Sequence, residues 1–216
     1  MKVKICGITN LEDARVAVAA GADFLGFIFY PRSPRYVTPE RAGQIIAALH
    51  AEGLTATTVG VFVDAPLAEI EHTMQVAGLD LAQLHGDEPV AQVQALGGRA
   101  FKALRPHSGN DVEADMLSYL SVAPDAAWVP QLLVDAYHPS AYGGTGQIGD
   151  WRLAQLLARR CARLLLAGGL TPDNVAQAIA EVRPWGVDVS SGVEASPGRK
   201  DHGRVRAFIA AARAAG

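Results

Sequence analysis

The sequence predicts an α/β protein in which residues 1–216 form a single (β/α)8 TIM barrel domain. Short apolar runs alternate with helical patterns about once every 25 residues, and eight such units fill the chain. The runs lack polar alternation, which is typical of parallel strands that are buried on both faces. The competing fold, an open doubly wound sheet, would need a Gly-x-Gly-x-x-Gly turn after the first strand. The chain has Cys6-Gly7-Ile8-Thr9-Asn10 there, which favours the barrel.

The elements follow one another in the order that a barrel requires. The predicted strands occupy residues 3–6, 24–29, 58–63, 79–84, 100–104, 132–135, 164–167 and 187–190. The predicted helices occupy residues 11–20, 39–51, 66–77, 88–96, 111–120, 151–159, 172–182 and 202–214. Thr38-Pro39-Glu40 and Asp64-Ala65-Pro66 indicate the starts of the second and third helices. Gly21 and Gly53 stand where helices are expected to end.

Composition excludes several classes of protein. Half of the 216 residues are apolar and 19% are charged, so a large core is expected. A formal net charge of −3 with no basic face argues against nucleic acid as a partner. The cysteines, Cys6 and Cys161, show no CxxC spacing, which fits a reducing cytoplasm. The N-terminal apolar run is too short for a signal peptide, and we expect no membrane partner.

The carboxyl ends of the strands are where such barrels place their chemistry. The polar and glycine residues at these ends are Cys6, Arg32, Arg35, Asp64, His85, Asp87, Arg105, Asp135, Gly168, Gly169, Ser190, Ser191 and Gly192. Alternate residues of a strand face opposite ways, and the face toward the helices is expected to be apolar. We therefore expect Lys4, Cys6, Asp135 and Asp188 to point into the barrel or its mouth.

Two strand ends near the C-terminus predict a site for an anion. Gly168-Gly169 follows one apolar strand and Ser190-Ser191-Gly192 follows the next. Thr171 suits a helix N-cap and Pro172 the first helical position. Backbone N–H groups and helix N-termini at two adjacent corners would bind a phosphate, although each corner by itself is also compatible with a simple tight turn.

Cys6 and Asp135 are the candidate proton-transfer groups. Each also has a simpler interpretation, since a strand-end cysteine can be a small buried apolar residue and a strand-end aspartate can be solvated. A thiol and a carboxyl group at roughly opposite points of one rim suit an isomerisation, in which a proton leaves one atom and arrives at another. Cys161 lies at the opposite end of the barrel, where a structural role is expected.

The loop of residues 30–36 holds two arginines between prolines. A guanidinium is suited to bidentate binding of a carboxylate or phosphate, and we assign that role to Arg35 and a solvated position to Arg32. His85-Gly86-Asp87 is unconvincing as a metal site. The sequence has no nicotinamide or P-loop fingerprint, so neither a metal nor a cofactor is expected.

Taken together, these motifs resemble those of the phosphoribosylanthranilate isomerase family of phosphate-binding barrels. The matching segments are Lys4-Ile5-Cys6-Gly7-Ile8-Thr9, Pro31-Arg32-Ser33-Pro34-Arg35-Tyr36-Val37, Gln83-Leu84-His85-Gly86, Leu133-Val134-Asp135, Gly144-Thr145-Gly146 with Asp150-Trp151, Ala167-Gly168-Gly169-Leu170-Thr171-Pro172-Asp173-Asn174-Val175, and Asp188-Val189-Ser190-Ser191-Gly192-Val193-Glu194. They span nearly the whole chain in order. Gln147-Ile148-Gly149 departs from the family, where a lysine and an aromatic residue often precede the Asp-Trp pair.

The resemblance implies an Amadori rearrangement of N-(5-phosphoribosyl)anthranilate in tryptophan biosynthesis. By match, Asp135 would be the general acid, Cys6 the general base and Arg35 the group that holds the anthranilate carboxylate. Lys4, His85 and Asp188 would lie near the substrate. A small molecule would be the partner, and the chain would be a monomer or a homodimer.

The two proton-transfer roles make opposite electrostatic demands. The acid must carry a proton, whereas nearby substrate anions oppose formation of a thiolate at Cys6. Lys4 is expected to favour the thiolate, unless Asp188 on the neighbouring strand engages it. Alternatives are a related sugar-phosphate isomerase, such as the aminoimidazole isomerase of histidine synthesis, and a non-catalytic phosphate-binding barrel.

Overall fold

Eight parallel strands close into a barrel in the order of the sequence, as predicted. The computed structural model describes residues 1–105, 112–135 and 151–216. The strands are β1 (Lys2–Cys6), β2 (Phe24–Ile28), β3 (Thr57–Phe62), β4 (Leu81–Leu84), β5 (Ala100–Leu104), β6 (Leu132–Asp135), β7 (Leu164–Ala167) and β8 (Gly186–Val189). Closure is made by β1, which pairs with both β2 and β8.

Helices follow the strands around the outside of the barrel. They are α1 (Leu11–Ala19), α2 (Pro39–Ala51), α3 (Leu67–Ala77), α4 (Val90–Ala95), α5 (Val112–Leu120), α6 (Trp151–Ala158), α7 (Val175–Val182) and α8 (His202–Ala215). A 3-10 turn (Ser191–Val193) and a hairpin of β9 (Glu194–Ser196) and β10 (Arg199–Lys200) follow β8. In the described part of the chain, no helix has the length and apolar character needed to cross a membrane.

The barrel has two apolar layers because alternate strand residues face opposite ways. The interior is filled by a cluster that includes Phe24, Val59, Leu81, Phe101, Leu133 and Leu165, all 2% exposed or less. The second layer lies between the sheet and the helices and includes Ile5, Leu25, Leu84, Val134 and Val187. Two buried faces explain why the strands read as continuous apolar runs rather than as alternating patterns.

Helix starts were predicted with mixed success. Thr38 caps α2 and accepts the N–H of Arg41, with proline at the first helical positions, as expected. The prediction at Thr171 and Pro172 is wrong, because these residues form a turn and α7 begins at Val175. Asn174 closes that turn, since its side-chain oxygen accepts the N–H of Thr171 at 2.8 Å.

A buried ion pair lies on the helix-facing side of β5, where only apolar residues were expected. The ammonium of Lys102 donates to a carboxylate oxygen of Glu88 at 3.0 Å and to the carbonyl oxygen of Gly86 at 2.6 Å. Glu88 in turn accepts the backbone N–H groups of Asp64 and Gly86. Both charged side chains are almost fully buried, so each depends on the other for compensation. The pair ties together the loops that follow β3 and β4.

We expect Lys102→Met to lower the free energy of unfolding by about 3 kcal/mol, because Glu88 would remain buried without its counter-charge. Urea denaturation monitored by circular dichroism measures this loss. The control is the double variant Lys102→Met with Glu88→Met, which removes both charges and should recover part of the stability. A single variant no less stable than the double variant would contradict the interpretation.

Candidate active site

The seam between β1 and β8 positions Cys6. Lys4 and Asp188 are directly opposed across the two strands, and the Lys4 ammonium donates to Asp188 Oδ1 at 2.9 Å. The Lys4 side chain has no exposed surface, so it can act on the barrel mouth only through the residues that it contacts. Gly26, on β2, leaves the space that this arrangement needs. A Cβ atom there would lie 2.8 Å from the Cys6 sulfur and 3.1 Å from the Lys4 nitrogen.

Burial and the charges at this seam together act on the pKa of the thiol. Burial raises the pKa of Cys6 above its ordinary value; Lys4 and Lys200 act in the opposite direction, while Asp188 adds to the increase. Burial acts to lower the pKa of Lys4, but Asp188 and Cys6 outweigh it and raise that pKa. Lys4 acts to lower the pKa of Cys6, but Asp188 engages Lys4, which was the arrangement expected to weaken this effect, and the net shift of the Cys6 pKa is upward.

Arg35 makes a bidentate ion pair with Glu194. Its Nε donates to Glu194 Oε1 at 2.8 Å and its Nη2 donates to Oε2 at 2.7 Å. The Lys200 ammonium also donates to Glu194 Oε1, at 3.0 Å. Burial acts to raise the pKa of Glu194, but the two cations outweigh it and hold this pKa below its ordinary value. The stem of Arg35 crosses Gly7, where a Cβ atom would lie 2.7 Å from Arg35 Cδ.

The two glycine corners lie against each other at the ends of β7 and β8. Gly168 and Gly169 both have positive φ, at 99° and 65°, which favours glycine. A Cβ atom on Gly192 would overlap the carbonyl oxygen of Leu170, so the second corner packs directly on the first. Gly169 is exposed, and its N–H has no acceptor among the described residues.

Hydroxyl groups extend the second corner. Ser191 is exposed at the start of the 3-10 turn, beside Ser190 at the end of β8. The buried Oγ of Ser190 has no hydrogen-bond partner among residues 1–105, 112–135 and 151–216. It lies beside Gly7, since a Cβ atom there would be 2.9 Å from it. The second corner therefore reaches the loop that follows Cys6.

Asp135 and His85 face each other at the ends of β6 and β4. His85 Nε2 lies 3.6 Å from Asp135 Oδ2, and both side chains are partly exposed. The other ring nitrogen, Nδ1, lies 2.8 Å from the side-chain nitrogen of Gln83, which is buried inside the barrel. In this orientation of the amide, its nitrogen donates to Nδ1, which assigns the ring proton to Nε2, toward Asp135.

In the described part of the chain, the candidate residues predicted from the sequence lie in two groups around one rim. Lys4, Cys6, Arg35, Asp188 and Ser190 lie on the β1–β8 side, next to the corners at Gly168-Gly169 and Ser191-Gly192. Asp135 and His85 form the second group, with β6 three places from β1 around the barrel. Gly144-Thr145-Gly146, Gln147-Ile148-Gly149 and Asp150 lie outside the described residues.

Sequence reasoning missed four residues of these groups. Gly26, Gln83, Glu194 and Lys200 were not assigned a role, although Glu194 closed a recognised motif. Gly26 and Gln83 could have been found by parity, because each shares its strand face with a residue that faces the interior. The hairpin that brings Lys200 to Glu194 has no comparable signal. Among the described residues, no group of histidine, cysteine, aspartate and glutamate side chains could hold a metal ion.

The fold and the rim together define a (β/α)8-barrel protein with paired glycine corners and separate thiol and carboxyl groups at the ends of its strands. Residues 3–211 match the sequence model of the family described as N-(5'phosphoribosyl)anthranilate (PRA) isomerase. The chain therefore belongs to the N-(5'-phosphoribosyl)anthranilate isomerase family.

Individual relatives match this chain along nearly their whole length. The N-(5'-phosphoribosyl)anthranilate isomerase of Geobacter sp. (strain M21) is 50% identical over 212 residues, covering 98% of each chain. The crystal structure of the enzyme from Thermotoga maritima matches with a TM-score of 0.85 and 41% identity over 99% of each chain. A further structure, in complex with reduced 1-(o-carboxyphenylamino)-1-deoxyribulose 5-phosphate, matches with a TM-score of 0.82 and 38% identity over 99% of each chain.

We expect Lys4→Met to raise the pKa of Cys6 further, because it removes the largest of the influences that lower it. At a given pH less thiolate would form, so alkylation by iodoacetamide would become slower and its midpoint would move to higher pH. The rates are measured in a Cys161→Ala background. Burial raises the pKa of Cys161 to about 11, so this second thiol would react at the high-pH end of the titration and obscure the midpoint of Cys6.

The control replaces both partners, Lys4→Met with Asp188→Asn. This double variant removes both charges of the pair. It should raise the midpoint of Cys6 alkylation less than Lys4→Met does, because Asp188 itself raises the pKa of Cys6. A midpoint that falls or stays constant in Lys4→Met would show that Lys4 does not act on the thiol.

Proposed function

We propose that this protein catalyses the Amadori rearrangement of N-(5-phosphoribosyl)anthranilate to 1-(2-carboxyphenylamino)-1-deoxyribulose 5-phosphate, a step of tryptophan biosynthesis. The observation that carries the proposal is the placement of Cys6 on one side of the barrel mouth and Asp135 across it. The guanidinium of Arg35 and the two glycine corners lie on the same rim. The bound product analogue named for a structural relative contains the carboxylate and the phosphate that such a rim would bind.

Asp135 is proposed as the general acid. It gives a proton to the furanose ring oxygen while the bond from that oxygen to C1 breaks, and the nitrogen lone pair forms the C1=N iminium. His85 supports this role by its position 3.6 Å from the carboxyl oxygen. With its proton on Nε2, the ring presents a donor that would stabilise the aspartate after proton transfer.

Cys6 is proposed as the general base, acting as a thiolate. It removes the proton from C2 of the sugar, and the released electron pair forms the C1=C2 bond while the iminium nitrogen recovers its lone pair. The resulting enolamine tautomerises to the ketone. The charge of Lys4 supports this role because it opposes the effect of burial on the pKa of the thiol.

The remaining rim residues are proposed to hold the two anionic ends of the substrate. Backbone N–H groups at Gly168, Gly169, Ser191 and Gly192, with the Ser190 hydroxyl, would bind the phosphate. Arg35 would bind the anthranilate carboxylate. Lys4 and Asp188 would act from beneath Cys6.

Three broader expectations belong to the proposal. Residues 1–216 form one barrel domain, the protein acts in the cytoplasm, and it is a monomer or a homodimer. A structural relative from Thermotoga maritima is described as a dimeric enzyme from which monomers were generated. Size-exclusion chromatography with light scattering measures the state of this chain.

We expect Cys6→Ala and Asp135→Ala each to reduce turnover by about 100-fold or more while the fold is retained, as is typical when a positioned acid or base is lost. The measurement is the fluorescence change as freshly prepared phosphoribosylanthranilate is consumed, with circular dichroism as the check on folding. Near-normal turnover in either variant would remove that residue from the mechanism.

We expect Arg35→Ala to raise KM by about tenfold or more with little change in kcat, because a charged hydrogen bond in the ground state is lost. Arg32→Ala is the matched control, since Arg32 is an exposed arginine of the same loop and its replacement should leave KM unchanged. An effect of Arg35→Ala confined to kcat would contradict the role in carboxylate binding.

A further inference from the structure

We propose that Glu194 is a positioning residue, which fixes the Arg35 guanidinium so that its Nη1 side is turned to the carboxylate of the substrate. The inference rests on the proposed function, in which Arg35 binds that carboxylate. Glu194 touches neither the substrate nor the reacting atoms in this proposal and acts only through Arg35.

The geometry of the ion pair leaves one edge of the guanidinium available. Glu194 occupies the Nε–Nη2 edge with hydrogen bonds of 2.8 and 2.7 Å. The group is planar and rigid, so one N–H of Nη1 and the second N–H of Nη2 point in parallel from the Nη1–Nη2 edge. A second carboxylate can bind there without displacing Glu194. The internal carboxylate and the substrate therefore share Arg35 rather than compete for it.

Glu194 is also held by partners other than Arg35. It is paired with Lys200 across the hairpin of β9 and β10, and its Oε1 accepts the Lys200 ammonium at 3.0 Å. The backbone N–H of Gly198 also donates to Oε1, at 3.3 Å. Lys200 has no exposed side-chain surface, and it is further fixed by donating to the carbonyl oxygen of Ser190 at 3.1 Å. The carboxylate is therefore a preorganised anchor for the arginine.

Arg35 needs such an anchor because its own loop supplies little. Its backbone N–H donates to the hydroxyl oxygen of Ser33, two residues earlier, at 3.1 Å, and its side chain is partly exposed. A long side chain with several rotatable bonds loses conformational entropy when a ligand orders it. An ion pair that orders the guanidinium beforehand removes that cost from substrate binding. Gly7 completes the arrangement by leaving room for the stem of Arg35.

The test compares two ligands that differ only in the carboxylate. The probes are reduced 1-(o-carboxyphenylamino)-1-deoxyribulose 5-phosphate and the same compound with a phenyl ring that lacks the carboxyl group, and titration calorimetry gives Kd for each. In Glu194→Gln, an amide nitrogen, which donates, takes the place of one accepting oxygen, so the bidentate pair with Arg35 is lost. We expect Kd of the first ligand to rise about tenfold and Kd of the second to change less than about twofold.

The matched control is Glu52→Gln. Glu52 forms the corresponding bidentate pair with Arg15 on the protein surface, with Arg15 Nε donating to Oε2 at 2.7 Å. Its replacement should leave both dissociation constants unchanged. If Glu194→Gln fails to fold, Glu194→Asp keeps the charge beside Lys200 but is too short to reach both nitrogens of Arg35. It is expected to show the same selective loss.

A double-variant cycle separates failure of this inference from failure of the proposed function. In an Arg35→Ala background, Glu194→Gln should change Kd of the carboxylate ligand less than about twofold, because the residue through which it acts is absent. Equal losses for both ligands, or additive losses in the cycle, would overturn the positioning role. If Arg35→Ala itself left Kd of the carboxylate ligand unchanged, the proposed binding of the carboxylate by Arg35 would be wrong, whatever the role of Glu194.

Discussion

The buried ion pair of Lys4 and Asp188 is the interaction on which one half of the rim depends. It lies at the seam where β1 meets β8, so the same contact closes the barrel and sets the surroundings of Cys6. A buried pair is costly to assemble and still more costly to break, since removal of one partner leaves an uncompensated charge. The thiol lies next to this pair, and both Cys6 and Lys4 pack against Gly26, where a Cβ atom would be 2.8 Å from the sulfur and 3.1 Å from the Lys4 nitrogen. The pKa of Cys6 is therefore raised by burial, and the charges of the seam modify that increase.

The β1–β8 side of the rim carries more positive than negative charge although the chain as a whole is negative. Three cations, Lys4, Arg35 and Lys200, face two carboxylates, Asp188 and Glu194. One net positive charge remains where an anionic substrate is proposed to bind, in a protein of formal charge −3. The excess is small because every cation is already paired. Such a rim can attract an anion while keeping each buried charge compensated.

The sequence predicted what depends on local periodicity and failed where contacts join distant segments. The strands were located to within two residues, and the face assignment of Lys4, Cys6 and Asp188 follows from parity alone. The pairing of Arg35 with Glu194 could not be predicted, since 159 residues separate them and no pattern links them. Lys102 was missed for another reason. Parity placed it toward the helices, where a charge is unexpected until Glu88 is known to reach it.

Separate buried ion pairs support the two halves of the rim. The pair of Lys4 and Asp188 supports the side of the rim that carries Cys6, whereas Lys102 and Glu88 hold the loop that leaves β4 at Gly86, beside His85 on the side that carries Asp135. Within residues 1–105, 112–135 and 151–216, the two pairs share no hydrogen-bond partner. Sites without shared partners are usually independent in energy. The thiol of Cys6 and the carboxyl group of Asp135 therefore lie near different buried charges, so a change at one ion pair should leave the surroundings of the other group in place.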